Sequence, residues 1–353
     1  MDLFTPLQLG ALQLRNRIVM APMTRSRAGA DGVPTDIMVD YYRQRASAGL
    51  IISEGIAPSA DGLGYCRTPG IYNAAQVAAW RAITDAVHAA GGCIVAQVMH
   101  VGRIANPLNK PNGSRTVAPS AIAARGEIYT DQSGMQPFAQ PQALALDEIA
   151  TVVEEYRQAT ENAFTAGFDG VELHCTSGYL PAQFLCTGTN QRTDRYGGSV
   201  ENRTRFVLEV LAAMASVDGA RRVGMRICPD NPFNDLRDDD PQQTFDYLLQ
   251  AARSLDLAYL HAMRFVRGRV DNLALGGRYF GDRLIGNESF DFREAQQAIA
   301  AGELCAVSFG RPFIANPDLV ERVRDDLPLA EFDLATLYTP GAQGYTSYPR
   351  SGG

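Results

Sequence analysis

Lysine is almost missing from this chain of 353 residues: Lys110 is the only one, and arginine carries nearly all of the positive charge. That bias reads as the base composition of a genome. A formal net charge of −7 with no basic cluster argues against a nucleic-acid-binding surface. No run approaches the roughly 18 apolar residues of a membrane span. The first residues, Met1 to Pro22, lack a charged segment followed by an apolar one. A secretory leader is therefore not expected, and the cytoplasm is the expected location. Six cysteines, at 66, 93, 175, 186, 228 and 305, form no Cys-x-x-Cys pair, so neither a zinc site nor disulfides are expected. Cys93, Cys228 and Cys305 lie in or beside apolar runs and read as small buried hydrophobes. There is no Gly-x-Ser-x-Gly elbow to present a nucleophilic serine, no trustworthy set of three metal ligands, and no dinucleotide fingerprint.

What is present is a large apolar fraction, 46%, with 20% charged residues, as in an ordinary globule with a sizeable core. Short apolar runs at 17–22, 49–55, 93–100, 170–174, 223–229, 257–263, 282–287 and 305–311 read as strands. Helical patterns fall between most of them, at 74–92, 146–168, 201–217, 240–255 and 291–303, several closing on glycine. Eight strands with crossover helices imply parallel pairing, and this length suits a TIM (β/α)8 barrel. "PLQLGALQLRNR" alternates around a glycine and reads as an N-terminal β-hairpin that plugs the barrel floor. Residues 101–146 lack strong periodicity and read as a long functional loop after strand 3. With no linker in view, residues 1–353 read as one domain.

A barrel builds its site at the C-terminal ends of its strands. Those ends offer Glu54 and Gly55, then Gln97, Met99 and His100, then His174, Ser177 and Tyr179, then Arg226, His261, Asn287, Gly310 and Arg311. Acids are few; amide, guanidinium, hydroxyl and imidazole groups dominate. A planar cofactor with several carbonyl oxygens would use them. "GNESFD" followed by "SFGRPF" resembles a barrel phosphate site, with backbone N–H groups and Arg311 as holders. Taken singly, a strand-end histidine is more often structural, and His100 and His261 are read so. Gln97 reads equally well as a satisfied core amide, and Tyr179 as a packed aromatic. Arg226 is harder to set aside, because a guanidinium inside an apolar strand needs an anionic or strongly accepting partner.

The segments "APMTRSRA", "VPTDIMVDYYRQRASAGLIISEG", "GYCRTPGIY", "HVGR", "FDGVELH", "NQRTDRYGGSVENRTRF", "FGRPFIANPDL" and "GAQGYTSYP" run in order from about residue 3 to 349. Together they resemble the Old Yellow Enzyme family of flavin-dependent alkene reductases. The resemblance implies FMN held non-covalently at the barrel mouth and NAD(P)H as reductant. The substrate would be a small activated alkene (an enone, maleimide or nitroalkene), and the protein a monomer or homodimer with no nucleic-acid or membrane partner. It implies that Pro22, Met23, Thr24 and Gly55 line the flavin and that Gln97 meets its pyrimidine edge. Arg226 would favour its electron-rich state. Ser289, Gly310 and Arg311 would hold its phosphate. Tyr65 and Tyr338 would border the substrate, His174 and Ser177 would grip its activating oxygen, and Tyr179 would donate the proton.

Several positions depart from the family pattern. Ser177 stands where Asn or His is usual, and Cys175 and Thr176 replace small residues. Met99 replaces a tryptophan, Glu288 and Ser289 replace glycines, and Arg264 lies in a region often acidic. The expectation for Glu288 is that it points away from the phosphate. Since the changes cluster at the substrate grip, two other readings stand beside alkene reduction. One is a flavoenzyme of the same scaffold carrying out desaturation or isomerisation. The other is a flavin- or ligand-binding protein with weak catalysis.

Overall fold

The short apolar runs read from the sequence become the staves of a closed cylinder. In the computed structural model, which describes residues 1–351, eight parallel strands follow one another around it in chain order. They are β1 (Ile18–Met20), β2 (Leu50–Ile56), β3 (Ile94–Val98), β4 (Gly170–Cys175), β5 (Val223–Ile227), β6 (Tyr259–Met263), β7 (Leu284–Asn287) and β8 (Ala306–Phe309). Each expected strand is found; six are shorter than expected, while Leu50–Ile56 and Gly170–Cys175 run one residue further at their C-terminal ends. The five expected helices are also present, at Ala74–Ala89, Leu146–Thr165, Val200–Asp218, Pro241–Arg253 and Phe292–Ala301. Side-chain caps fix several starts: Asn73 accepts from Gln76 N–H, Ser199 from Asn202 N–H, and Asp291 from Glu294 N–H. Each such cap stabilises a helix by about 1 kcal/mol.

The structure adds helices that periodicity did not reveal, at Asp36–Gln44, Leu180–Leu185, Asn272–Phe280, Arg311–Ala315 and Leu319–Arg324. The long segment after β3 also differs from the structureless loop expected. It carries an antiparallel hairpin, Glu127–Thr130 with Gly134–Pro137, and a parallel contact of Val117–Ala118 with Gln142–Ala143.

Side chains two apart on a strand share a face, so each strand sends alternate residues inward. The lower part of the interior is apolar. Val19, Leu50, Ile52, Val95, Ile285 and Ala306 meet Leu9, Leu12 and Leu14 of the N-terminal hairpin, which pairs Leu7–Leu9 with Leu12–Leu14. The hairpin closes the floor, as its pattern predicted. One level up, the same strands present Gln97, Glu172, Arg226, His261, Asn287 and Ser308, all buried. The chain thus stacks a polar tier on an apolar one inside a single cylinder.

Candidate active site

The polar tier is a connected network. Gln97 Nε2 donates to Glu172 Oε1 at 2.8 Å, and Glu172 Oε2 lies 3.0 Å from His261 Nδ1. Ser308 Oγ lies 2.7 Å from His261 Nε2. Burial works to raise the Glu172 carboxyl, but His261, Arg226 and Gln97 outweigh it and hold the group below the usual carboxylate range. Burial, then Arg226, pushes the His261 imidazole down. We therefore assign an ionised Glu172 that accepts from a neutral His261, with Ser308 donating to Nε2. Asn287 Nδ2 donates to Ser308 O at 3.0 Å and its Oδ1 accepts from Arg226 Nη2 at 2.8 Å. Arg226 Nη1 lies 3.5 Å from both nitrogens of His261.

Arg226 is 6% exposed and has no carboxylate within ion-pairing distance among the described residues. Its Nε donates to no protein acceptor, so a donor edge of a buried cation is left over. Beside it on β4, His174 pairs in register with Arg226. Its Nδ1 is buried with no hydrogen-bond partner. Burial, with Arg226 and His261, holds this imidazole well below the ordinary histidine range, so it is neutral. Two neighbouring buried groups with unused hydrogen-bonding capacity fit an electron-rich, oxygen-bearing ligand, and the flavin ring fits that description.

The turn after β4 carries the remaining groups. Ser177 has φ +58° and Gly178 φ +83°, two consecutive left-handed residues. A Cβ on Gly178 would lie 2.4 Å from Asn234 Cβ, so only glycine fits there. Asn234 Nδ2 donates to Ser177 O at 2.8 Å and ties the turn to the loop after β5. The Ser177 hydroxyl makes no hydrogen bond among the described residues. Tyr179 caps the helix Leu180–Leu185, its OH donating to Tyr65 OH at 3.1 Å. Its ring stands edge-on to His174, centroids 4.9 Å apart. Burial and the neighbouring Tyr65 push the Tyr179 phenol well above its ordinary range, so it keeps its proton. Met99, Val101 and Ile104 pack with Tyr179 and Tyr65 as an apolar wall. A Cβ on Gly55 would lie 2.5 Å from Met99 Sδ, so the glycine makes room for the methionine.

Of the other residues read from the sequence, Pro22, Met23 and Thr24 follow β1 at the mouth and are half-buried. Met23 Sδ lies 3.5 Å from where a Gly310 Cβ would be. Gln97 is at the site, with one amide N–H donated to Glu172, which leaves its carbonyl and its second N–H. Glu54 is not at the site. The strand register shifts between Ile52 and Gly55, and this bulge turns Glu54 outward, where Tyr42 OH donates to Oε1 at 3.2 Å. At the phosphate end, Gly310 leads into Arg311, whose guanidinium is exposed. Glu288 corrects an expectation: its carboxylate pairs with Arg311 instead of pointing away. Ser289 Oγ also donates to Glu288 Oε1, at 3.2 Å.

Sequence reasoning missed one supporting device. Arg25 Nη2 donates to Gly344 O at 2.7 Å, and Arg27 donates to the carbonyls of Thr336, Leu337, Gly341 and Gln343 at 2.7–3.3 Å. Arg67 Nη2 donates to Tyr338 O at 2.7 Å. Three arginines thus strap the C-terminal segment across the mouth and set the position of Tyr338, which is 60% exposed. The close spacing of Arg25 and Arg27 in "TRSR" was the available signal.

Known proteins resemble this chain over nearly its whole length. A family model described as the NADH:flavin oxidoreductase / NADH oxidase family matches residues 2–330. The chain is 44% identical to a probable flavin mononucleotide-dependent alkene reductase of Leishmania infantum, over 98% of this chain and 96% of that protein. Among solved structures, morphinone reductase in complex with tetrahydroNAD superposes with a TM-score of 0.95 at 47% identity, covering 99% of this chain and 98% of that one. The Old Yellow Enzyme homologue from Zymomonas mobilis superposes at 0.94 with 42% identity, covering 99% of both chains.

Proposed function

Because the chain belongs to the NADH:flavin oxidoreductase / NADH oxidase family, that of Old Yellow Enzyme, and is a flavin-dependent alkene reductase, we propose that Arg226, His174 and Tyr179 divide the work at the barrel mouth. Bound FMN, reduced by NAD(P)H, supplies hydride to the β-carbon of an activated alkene. Arg226 meets the electron-rich edge of the ring with the donor edge that no protein group takes, and Gln97 offers its carbonyl to the pyrimidine. Pro22, Met23, Thr24 and Gly55 line the ring; Ser289, Gly310 and Arg311 take the phosphate. His174, neutral, donates a hydrogen bond to the activating oxygen of the substrate and withdraws charge without giving up a proton. Ser177 adds a second, shorter donor on the same turn. Tyr179 keeps its proton until the α-carbon becomes basic, then releases it, with Tyr65 as its partner. Tyr65 and Tyr338 border the substrate. The whole chain acts as one flavin domain, in the cytoplasm, as a monomer or homodimer.

The observation that carries this reading is the register-paired His174 and Arg226, both buried, with His174 Nδ1 unpartnered and Arg226 Nε donating to no acceptor among the described residues. The test is a yellow protein whose flavin NAD(P)H bleaches under anaerobic conditions and a maleimide reoxidises. Tyr179→Phe then separates the roles. Bleaching should continue at the original rate, while reduction of an alkene that needs protonation slows by about 100- to 10,000-fold, the range of general acid catalysis. Equal loss of both steps would remove Tyr179 from the acid role.

A further inference from the structure

The phosphate end of the site holds more negative charge than a phosphate cradle calls for. Glu288 and Ser289, which follow β7 directly, have φ +74° and +58°. That region suits glycine, and a side chain in it costs about 1–2 kcal/mol per residue. The strained turn is clamped from outside. Arg264 Nε donates to Glu288 O at 3.2 Å and Nη2 to Ser289 O at 2.5 Å, while the same guanidinium pairs with Glu294. With the backbone fixed this way, the Glu288 carboxylate lands on Arg311, the guanidinium read as the holder of the cofactor's phosphate. Two guanidiniums and two carboxylates already balance one another there. An incoming phosphate therefore finds its partner taken, and finds a carboxylate next to the place it must occupy.

We propose that Glu288 is an internal competitor for Arg311 that sets how strongly this enzyme distinguishes FMN from its dephosphorylated form, riboflavin. The inference rests on the flavin reading above and deepens it. Phosphate binding displaces the Glu288 carboxylate into solvent and leaves two like charges close together. The gain from a charge-assisted contact is correspondingly reduced. The Glu288 charge also reaches Arg226 at the isoalloxazine end, but that influence is common to FMN and riboflavin, so the ratio of the two affinities reports the phosphate end alone.

The experiment compares wild type with Glu288→Gln, which keeps the shape, and Glu288→Gly, which also relieves the left-handed backbone. Dissociation constants are measured from flavin release on dilution of the full-length holoenzyme, followed by flavin fluorescence, for FMN-loaded and riboflavin-loaded protein. Both variants should raise the ratio of FMN to riboflavin affinity about 10-fold, equivalent to about 1.4 kcal/mol, with FMN bound more tightly than by wild type. The gain should shrink as salt rises, because Arg311 is exposed. An unchanged ratio of FMN to riboflavin affinity in both variants overturns the proposal, and so does weaker FMN binding. Failure of wild type to bind either flavin overturns the flavin reading and this inference with it.

Discussion

Ser177 is where one atom type decides most. Its backbone sits at φ +58°, a region that asparagine tolerates better than serine. Its hydroxyl ends short of the reach an amide has. Ser177→Asn should therefore leave the melting temperature unchanged or slightly higher. It should raise kcat/KM for a simple enone about 10-fold, within the range a recovered oxyanion donor supplies; equal rates in steady-state assays would mean that serine suffices. Site residues of this kind were legible because period-2 strands leave little choice about which side chains share a face. Gln97, Arg226 and His174 fell together for that reason. Glu54 did not, since a bulge between Ile52 and Gly55 reverses the alternation and no local sequence signal marks it. The Glu288–Arg311 pair was equally hidden, because it joins two loops whose approach depends on the closed barrel.

At the scale of elements, the strap formed by Arg25, Arg27 and Arg67 explains how a segment with little regular structure keeps its place. Tyr345 stacks on Tyr41 at 4.0 Å, and Arg27 lies over the Tyr345 ring at 4.8 Å. Burial lowers the Arg27 guanidinium to about 10, still charged at neutral pH. Its bonds to several carbonyls are charge-assisted, each contributing about 1.5–3 kcal/mol. Arg27→Met should release the segment locally. Amide exchange across residues 336–345 should quicken by roughly 30-fold, equivalent to about 2 kcal/mol, while the barrel strands keep their protection. Helices with a clear apolar stripe were readable from the sequence. Asp36–Gln44 was not, because Ile37, Val39, Tyr41 and Tyr42 are weak helix formers. Asn272–Phe280 was masked by Gly276 and Gly277. The first of these glycines is needed for close approach: a Cβ there would lie 2.9 Å from Leu284 Cδ1.

Across the whole molecule, the buried imidazoles govern the response to acid. Burial pushes His100 down from 6.5 to about 3, and His174 and His261 are lowered too, by burial first. A histidine kept neutral in the fold but free to charge when unfolded stabilises the protein above its unfolded value, and that stability is lost as pH falls. Glu54 works the other way: burial raises it from 4.5 to about 7, so acid favours the folded form through this group. Burial raises Glu155 as well, so three imidazoles stand against two carboxyls and leave a net loss. Between about pH 6.5 and 4.5, stability of the flavin-free protein should fall by on the order of 1 kcal/mol per pH unit, about one net proton. Urea midpoints across that window check the slope, and a flat profile would mean that the histidines titrate normally.

The leucine-lined stopper at the base of the cylinder, where Leu9, Leu12 and Leu14 meet the strands, has a kinetic corollary. With the basement sealed, every small molecule must come and go by one doorway, narrowed by the strapped C-terminal segment. Electron donor and electron acceptor then take turns at one berth, each departing before the other lands, so an excess of either blocks its counterpart.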